Sequence, residues 1–500
     1  MSDSIGTTKD SLARVQVAIV GSGFAGLGMA IHLRRAGMND FVILERAADV
    51  GGTWRDNSYP GCACDVESHL YSFSFALNPD WTRRFAPQPE IQAYLQRCAE
   101  RFGIIPHIRF GHEVLGARWD ATANEWVVET SRATVRAAVL VLGNGPLSDP
   151  IIPDLPGLTN FEGAVFHSAA WRHDIDLTGL DVAVIGTGAS AIQFVPKIQP
   201  NVRQLHIFQR TPPWVLPRHD RAIPPARRRL YKMLPPVQRL VRARIYAQRE
   251  LFLLLFRHPP WMKRGEALAR RRLRKWIADP ARREKLTPDY TMGCKRVLLS
   301  DDYLPALAEP NVNVVTAAVR EVRAHGVVDA DGIEHRADVI IFGTGFRPTD
   351  PPLAPCICGR EGKTLADVWQ GSPRAYLGTA VAGFPNLFTL LGPNTGLGHT
   401  SVVFMIEAQI AQVMLALREI HRRNVRALEP SAEAERGFVA DVERRMRNTV
   451  WVAGHCMSWY LDRTGRNSSL WPDFTWRFRR RLKRFVHRDW ISIITRADAG

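Results

Sequence analysis

One pattern occurs twice in this chain and limits the folds that it can adopt. An apolar run at 15–20 leads directly into the small-residue loop 21–26, and a second run at 181–185 leads into the loop 186–191. Unbroken apolar runs are typical of parallel strands that are buried on both faces. Small residues at these spacings let the following turn approach a pyrophosphate at a helix N-terminus. The sequence therefore predicts an α/β protein with two Rossmann-like dinucleotide-binding domains. The loop residues that we assign to cofactor binding are Gly21, Gly23, Gly26, Gly186, Gly188, Ala189 and Ser190.

The residues that end the second strand of each fold differ in charge. In the first fold, the run 41–45 ends in Glu45, about 20 residues after the glycine loop, where an acid accepts hydrogen bonds from ribose hydroxyls. The second fold has Arg210 and Thr211 at the corresponding position. A cation and a hydroxyl there favour a 2′-phosphate, which an acid would repel. We therefore predict FAD in the first domain and NADPH in the second.

Two further apolar runs that lead into glycines, within 137–145 and 337–346, complete the two folds. A chain of 500 residues exceeds a single ordinary core, so separate domains are expected. We predict an FAD-binding domain at 14–150 and 375–500, an NADPH-binding domain at 151–217 and 291–374, and a basic helical insertion at 218–290.

The insertion carries most of the excess positive charge. The net charge is +17, and the segment 218–285 holds 21 Lys or Arg residues against 5 Asp or Glu. Its aliphatic and arginine residues recur at helical spacing, which predicts an amphipathic helix docked on the second domain. Contact with a membrane surface is the alternative interpretation. The insertion lacks a nucleic-acid-binding motif, so we expect no nucleic acid partner.

Cysteine usage and hydropathy exclude several classes of protein. Seven cysteines are few and odd in number, which favours a reducing cytoplasm over a disulfide scaffold. The spacings Cys62-x-Cys64 and Cys356-x-Cys358 are tighter than those of a zinc knuckle, so we predict structural thiols and no metal site. No run approaches 18 apolar residues, and the N-terminus lacks a charged head followed by an apolar core. We therefore expect neither a spanning helix nor a secretory signal, and a cytoplasmic protein.

Two longer motifs lie beside the glycine loops. The first, GGTWRDNSYPGCACD at 51–65, combines Gly-Gly, Pro-Gly and aromatic residues, which predicts an ordered loop around a flat ligand. The second, FEGAVFHSAAW at 161–171, lies between the two glycine loops and predicts a linker that joins the domains. In it Gly163 permits a tight bend and His167 can form hydrogen bonds on two sides. Its aromatic anchors are Phe161, Phe166 and Trp171.

Both motifs resemble the fingerprints of the type I Baeyer–Villiger flavin monooxygenases. The resemblance covers nearly the whole chain and includes both glycine loops, Arg210, and the adjacent cations Lys295 and Arg296. The chain departs from the family where Arg172 follows Trp171, since Pro or Asp is usual there. The tail from 458 to 472, Ser-Trp-Tyr through Arg-Asn to Trp-Pro, is more similar to the hydroxyacetophenone-type and ethionamide-activating branches than to the cyclohexanone branch.

The resemblance implies a role for several residues. Arg296 is the catalytic cation, and Asp65 pairs with it and orients it. Lys295 helps to hold the 2′-phosphate of NADPH, and Trp459 lies near the nicotinamide. His167 and Trp171 couple domain rotation to the cofactor switch. The 51–65 motif adds Gly52, Thr53, Trp54 and Asp65 to the cofactor site.

A Gly/Pro/Asn loop at 384–401 suits the close approach of backbone N–H groups to a flavin ring edge. We therefore assign Gly392 and Asn394 to cofactor binding, with His399 and Thr400 as further candidates. The Pro-rich segment 347–357 is a candidate for the substrate pocket.

The function that the resemblance implies is a Baeyer–Villiger oxidation. NADPH reduces FAD, O₂ adds to the flavin as a C4a-peroxide, and one oxygen atom enters a ketone to give an ester or lactone. Expected partners are O₂ and a small hydrophobic ketone or thioether. One alternative is an S- or N-oxygenating flavin monooxygenase. A second is an inactive flavoprotein fold that serves as a binding protein. A disulfide reductase is disfavoured, because Cys62 and Cys64 are separated by fewer residues than in that class.

Overall fold

The computed structural model describes residues 10–11, 14–454 and 456–493, and both repeated apolar runs fold as parallel strands. They are the strands Val15–Val20 and Asp181–Ile185, each paired on both sides within its own sheet. Ala18 and Ile19 are both fully buried, and they face different apolar clusters on the two sides of the first sheet. Burial on both faces explains why the run does not alternate with polar residues.

The first sheet has nine strands among the described residues. The strands around Val15–Val20 are parallel, whereas the segment 114–142 forms an antiparallel meander. The chain pairs with this sheet again at Ile357–Cys358, ahead of the return predicted at 375. In spatial order the main path is Ile357–Cys358, Val114–Asp120, Glu125–Thr130, Ala133–Leu142, Val15–Val20, Phe41–Glu45 and Ile108–Phe110, and both Asp10–Ser11 and Leu387–Thr389 pair with Ala133–Leu142.

The second sheet has five strands in the described part of the chain, and all their pairings are parallel. The segment predicted as a linker supplies the edge strand of this sheet. In spatial order the strands are Val312–Val315, Gln204–Phe208, Asp181–Ile185, Val339–Phe342 and Ala164–His167. Smaller sheets pair Val319–Arg323, Gly326–Asp329 and Glu334–Arg336, Val215–Leu216 with Leu298–Leu299, and Ala427–Pro430 with Trp490–Ile493.

Each glycine loop leads into a helix, as the sequence predicts. Phe24–Arg35 follows the first loop and packs against the long helix Val402–Arg423, and Ala191–Ile198 follows the second. A further helix of the first domain is Gln88–Arg101. Other α-helices of the described residues outside the insertion are Thr53–Asp56, Tyr303–Ala308, Leu365–Trp369, Ala432–Met446, Val450–Ala453 and Thr475–Leu482.

The insertion begins and ends beside two paired strands, Val215–Leu216 and Leu298–Leu299. Its helices are Pro225–Met233, Pro235–Arg257, Met262–Trp276 and Pro280–Lys285.

The longest of these helices docks on the first domain, so the expectation of docking on the second was wrong for it. Arg242 donates hydrogen bonds to the carbonyls of His69 at 2.8 Å and Leu70 at 3.0 Å. The ring of Tyr246 stacks on Phe404 with centroids 4.9 Å apart. Helical periodicity predicts that one face is covered, but not which domain covers it. The following helix, Met262–Trp276, does contact elements of the second domain.

Candidate active site

The first glycine loop packs tightly against neighbouring backbone. Gly21 has a φ of +88°, and a Cβ there would lie 3.1 Å from the Cα of Asn144. A Cβ on Gly26 would lie 1.9 Å from the carbonyl oxygen of Gly21, so a larger residue must displace the loop. A Cβ on Gly52 would lie 3.3 Å from the Cα of Gly23. The loop therefore presents backbone rather than side chains to a ligand, as phosphate binding requires.

Glu45 lies beside this loop at the end of its strand and is 3% exposed. Its carboxylate accepts hydrogen bonds from the amide and hydroxyl of Ser22, at 2.9 and 2.6 Å. The amide of Ala47 at 3.0 Å and the guanidinium of Arg55 at 2.9 Å also donate to it. These contacts fix the acid at the position expected for contact with ribose hydroxyls.

The 51–65 motif is an ordered loop, as predicted. Gly51 and Gly52 have φ values of +124° and +54°, which favour glycine, and they lead into the short helix Thr53–Asp56. The indole of Trp54 donates a hydrogen bond to the hydroxyl of Tyr71 at 3.1 Å. The loop thus positions Trp54 and, at its end, Asp65 on one wall of a cavity.

This cavity has a volume of about 1060 Å³ and is lined by residues of both domains. The Pro-rich segment that the sequence assigns to a substrate pocket contributes Pro348, Pro351 and Pro352 to its wall. Site residues from the sequence that line it are Thr53, Trp54, Asp65, Gly186, Gly188, Ala189, Ser190, Arg210, Thr211, Lys295, Arg296, Gly392 and Trp459. Those outside its lining are Gly21, Gly23, Gly26, Glu45, Gly52, His167, Trp171 and Asn394.

Asp65 and Arg296 form an ion pair in the cavity wall although 231 positions separate them in the sequence. The Nε and Nη2 atoms of Arg296 lie 2.8 and 2.6 Å from the same carboxylate oxygen, Oδ2 of Asp65. The Nη1 atom donates to the carbonyl of Leu397 at 3.4 Å. Both charged side chains keep partial exposure, at 27% for Arg296 and 29% for Asp65, so each is available to a bound ligand.

The charges around this pair keep both groups ionised. Burial alone would raise the pKa of Asp65, but the Arg296 guanidinium, together with Arg249 and Arg218, lowers it below its usual range. The Asp65 carboxylate in turn raises the pKa of Arg296, against the effect of burial. A permanent cation therefore faces the cavity.

The second glycine loop resembles the first in its geometry. Gly186 has a φ of +103°, and a Cβ there would lie 2.6 Å from the carbonyl oxygen of Gly343. Ala191, which takes the place of a third glycine, is fully buried at the start of its helix. Its small side chain permits the close helix–strand packing that the motif requires.

Two cations lie near each other beside this second loop. Neither Arg210 nor Lys295 forms an ion pair with a carboxylate of the described residues. The ammonium of Lys295 lies 4.9 Å from the ring centroid of Tyr290. Burial and the charge of Arg210 lower the pKa of Lys295. Two like charges held together, with Thr211 adjacent, form a suitable site for a phosphate.

His167 is buried and neutral at pH 7. Its Nδ1 accepts a hydrogen bond from the amide of Ala169 at 3.0 Å, so the proton resides on Nε2. Burial lowers the pKa of His167 to about 4, against the effect of the Gly345 backbone. Trp171 packs edge-on against Phe166 at 5.2 Å and lies 5.3 Å from the ring of Phe194. Phe194 in turn lies 6.0 Å from the ring of Tyr59 in the first domain, so Trp171 packs on a residue that contacts both domains.

Gly163 lies at the predicted bend, directly before the edge strand. A Cβ there would lie 2.1 Å from the carbonyl oxygen of Asp338. The glycine is therefore required by the close approach of the neighbouring chain.

The Gly/Pro/Asn loop holds its assigned residues in different ways. Gly392 lines the cavity, and a Cβ there would lie 2.5 Å from the carbonyl oxygen of Gly378. The Asn394 side chain instead donates hydrogen bonds to the carbonyls of Asn467 at 2.8 Å and Leu470 at 3.2 Å. Asn394 thus ties this loop to the C-terminal segment and does not face the cavity.

The cavity wall contains buried hydroxyls without a partner. The side-chain oxygens of Thr400, Ser468 and Ser469 have no hydrogen-bond partner among the described residues. Buried polar groups in native proteins normally find a partner, so these hydroxyls are available to a polar ligand such as a flavin ring. His399, the other candidate of this loop, lies behind the wall with its Nε2 3.4 Å from a carboxylate oxygen of Glu250.

The structure adds residues that the sequence did not assign. Tyr460 is fully buried; burial raises the pKa of Tyr460, and the Arg296 cation opposes that rise. Trp459 stacks obliquely on this ring at 4.4 Å and is 46% exposed.

Two arginines of the insertion also contact the region around Asp65. Arg218 donates a hydrogen bond to the carbonyl of Cys64 at 2.8 Å, and Arg249 forms an ion pair with Glu67. The insertion contains many arginines, and its sequence does not distinguish Arg218 and Arg249 from the arginines that lie on the surface.

A disulfide between Cys294 and Cys456 was also not anticipated. It joins the loop that carries Lys295 and Arg296 to the segment that carries Trp459, across 162 residues. Cys62, Cys64, Cys356 and Cys358 are unpaired, as predicted. The chain has an odd number of cysteines, and these two are far apart in the sequence, so the sequence alone did not predict that they form a disulfide.

Comparisons with known proteins agree with this geometry. The family model described as flavin-binding monooxygenase-like matches residues 14–363. A Baeyer–Villiger monooxygenase of Streptomyces coelicolor is 54% identical over 472 residues, covering 94% of this chain and 91% of that relative. This chain belongs to the Baeyer–Villiger flavin monooxygenases. The solved cyclohexanone monooxygenase from Rhodococcus sp. Phi1 bound to NADP⁺ has a TM-score of 0.87 at 30% identity, covering 97% of this chain and all of that one. The structure of OTEMO with FAD and NADP has a TM-score of 0.86 at 28% identity, covering 97% and 100%.

These relationships confirm the predicted family, the fold of two Rossmann-like domains, and FAD and NADPH as cofactors of a monooxygenase. The residues of this chain fit both groups. Gly26, which tolerates no Cβ, and the buried Glu45 suit the nucleotide half of FAD. The unpaired Arg210 and Lys295 suit the 2′-phosphate of NADPH. Among the residues that the structure describes, no helix is long and apolar enough to cross a bilayer.

Replacing Arg210 tests the second nucleotide site. Arg210→Ala removes a charge-assisted contact worth about 1.5–3 kcal/mol, so we expect KM for NADPH to rise by roughly 10- to 100-fold. KM for NADH should change little, because NADH lacks the 2′-phosphate. Steady-state oxidation of both nucleotides measures the effect, with the exposed Arg418→Ala as the matched control. An equal loss with both nucleotides would remove Arg210 from this role.

Proposed function

We propose that this Baeyer–Villiger monooxygenase inserts one oxygen atom of O₂ into small hydrophobic ketones to give esters or lactones, and that Asp65 and Arg296 are its catalytic pair. The observation that supports this most strongly is the position of their ion pair. It lies in the wall of a cavity that is also lined by Trp54 of the first domain and by Gly186 and Arg210 of the second. Cofactors bound to the two domains would meet at such a cavity.

Bound FAD, once reduced by NADPH, supplies the activation of O₂. Arg296 presents a guanidinium that stays charged and can stabilise negative charge on the reacting oxygens. Asp65 orients that guanidinium through two of its nitrogens, which restricts it to a small range of positions. Since its pKa is lowered, Asp65 stays ionised at neutral pH and does not act as the proton donor.

The same geometry favours a ketone over a thioether. Attack on a carbonyl carbon requires an anionic oxygen nucleophile, which a neighbouring cation stabilises. Oxygen transfer to a sulfur atom requires an electrophilic oxygen, and a fixed cation gives it no corresponding assistance. Apolar side chains such as Leu147, Ile151 and Leu353 in the cavity wall suit a hydrophobic substrate.

A substrate screen tests this proposal. The purified FAD-containing enzyme is incubated with NADPH, O₂ and matched pairs of ketones and thioethers of equal size, and the products are identified by gas chromatography with mass spectrometry. We expect esters or lactones to form faster than sulfoxides in each pair. Sulfoxides without any ester from the ketones would overturn the assignment.

A cytoplasmic location is part of the same proposal. Five of the seven cysteines support it, since Cys62, Cys64, Cys98, Cys356 and Cys358 are unpaired, whereas the disulfide between Cys294 and Cys456 is more typical of an oxidising compartment. Fractionation of the source cells with an antibody against this chain tests it, and recovery from outside the cytoplasmic membrane would contradict it.

A further inference from the structure

The insertion concentrates exposed apolar side chains as well as positive charge. Of the 20 large apolar side chains that are exposed among the described residues, nine lie between 218 and 290. Six of these belong to the first two helices of the insertion or their junction. They are Leu230, Met233, Leu234, Leu240, Leu251 and Phe252, with exposures from 41% to 76%.

The longer of the two helices keeps one face uncovered. Leu240, Arg244, Ala247 and Leu251 are all exposed and follow each other at spacings of four, three and four residues, so they share one face. This face extends about 16 Å along the helix axis. The opposite face is buried and includes Gln238, Leu253 and Phe256. The uncovered face is therefore not needed for docking the helix on the protein.

The same two helices also carry exposed cations. Arg229, Arg239 and Arg244 are exposed, and none of them forms an ion pair with a carboxylate in the described part of the chain. Between 225 and 257 the sequence has nine Lys or Arg and one acid, Glu250. That acid is buried and accepts hydrogen bonds from the amide and hydroxyl of Thr475, at 2.9 and 2.7 Å. We give the name arginine–leucine face to these six apolar side chains and three arginines, which are all exposed on two consecutive helices and their junction.

Charge decides which occupant fits the arginine–leucine face. A second copy of the chain would place cations against cations, with no acid on either side to compensate. Nucleic acid would pair with the arginines but leave the leucine side chains in water. An anionic bilayer satisfies both groups, because its phosphates pair with arginine while the interface between headgroups and acyl chains accepts leucine and phenylalanine.

We propose that the arginine–leucine face binds the surface of membranes that contain anionic phospholipids. The protein lies on the bilayer through this face without spanning it. The binding is independent of the oxidation reaction, since none of the nine residues lines the cavity that holds Asp65 and Arg296.

Sedimentation with vesicles tests this proposal. The full-length enzyme with bound FAD is mixed with vesicles of phosphatidylcholine alone or of phosphatidylcholine with phosphatidylglycerol. We expect binding to the anionic vesicles only, and weaker binding at high salt. Arg239→Gln with Arg244→Gln should weaken the binding by about 30-fold. Leu240→Ser with Leu251→Ser should weaken it by at least about 10-fold.

The matched control is Ile333→Ser with Arg418→Gln, an exposed apolar residue and an exposed cation outside the insertion. It should bind anionic vesicles as the parent does. FAD content and NADPH oxidation in each variant show that the fold is intact. Absent binding, equal binding to neutral vesicles, or unchanged binding of both face variants would overturn the proposal. So would a dimer that the leucine variant converts to a monomer, since that outcome assigns the face to a second copy of the chain.

Discussion

Arg296→Ala should reduce ester formation by at least about 100- to 1000-fold, the loss typical of removing one preorganised charge-stabilising donor. The substitution removes the only partner that contacts the Asp65 carboxylate among the described residues and leaves a negative charge in the cavity wall. Negative charge on the reacting oxygens then lacks its cation. Reduction of bound FAD by NADPH should continue, because Arg210 and Lys295 still hold the nucleotide. Ester yield, NADPH consumption and hydrogen peroxide release measured together show oxidation without oxygen insertion.

Arg296→Lys is the matched variant for this prediction. Lysine keeps the charge but lacks the planar fork with which arginine holds the Asp65 oxygen. We expect partial activity, between that of the parent and that of the alanine variant. Undiminished ester formation by Arg296→Ala would remove Arg296 from the catalytic pair. If flavin reduction is lost to the same degree, Arg296 acts in nucleotide binding instead.

Gly26→Ala should produce a protein that no longer retains FAD. The new Cβ would lie 1.9 Å from the carbonyl oxygen of Gly21, and that atom belongs to backbone that cannot rotate away. The glycine loop must therefore shift from the position at which it meets a pyrophosphate. We expect the affinity for FAD to fall by at least about 10-fold, or about 1.4 kcal/mol. The absorbance of flavin relative to protein after gel filtration measures the loss.

Gly437→Ala provides the control for the same chemical change. Gly437 lies inside the helix Ala432–Met446, and a Cβ there would have no atom within 4 Å. Alanine has the higher helix propensity, so this variant should keep its FAD and gain up to about 1 kcal/mol of stability. Normal flavin content in Gly26→Ala would contradict the phosphate-binding role of the first loop.

The sequence predicted best the features that depend on residues close to one another in the chain. A glycine loop requires a strand before it and a helix after it, so Gly21 to Gly26 and the helix Phe24–Arg35 follow from one short pattern. Glu45 ends its strand at the predicted residue. The pairing of Asp65 with Arg296, which are 231 positions apart, was predicted from the resemblance to the family. The positions of these two residues in the sequence do not by themselves predict that they pair.

Other features depend on distant contacts for which the sequence has no local signal. Cys294 and Cys456 become neighbours because two domains fold back on each other. Asn394 lies in a loop whose composition predicts contact with a cofactor. Its side-chain amide instead donates hydrogen bonds to carbonyls of the C-terminal segment. The long helix of the insertion has an amphipathic pattern that the sequence shows. Its docking on the first domain depends on hydrogen bonds from Arg242 to the carbonyls of His69 and Leu70. In each case the sequence does not show which distant part of the chain the residue contacts.

The most direct test of the central claim is isotopic. A ketone that the enzyme accepts is incubated with NADPH in an atmosphere of ¹⁸O₂, and the ester is analysed by mass spectrometry. Oxygen insertion at the cavity of Asp65 and Arg296 predicts one ¹⁸O atom in each ester molecule, and at least about 100-fold less ester from Arg296→Ala under the same conditions. Unlabelled ester, or consumption of NADPH with release of all the oxygen as hydrogen peroxide, would contradict the account.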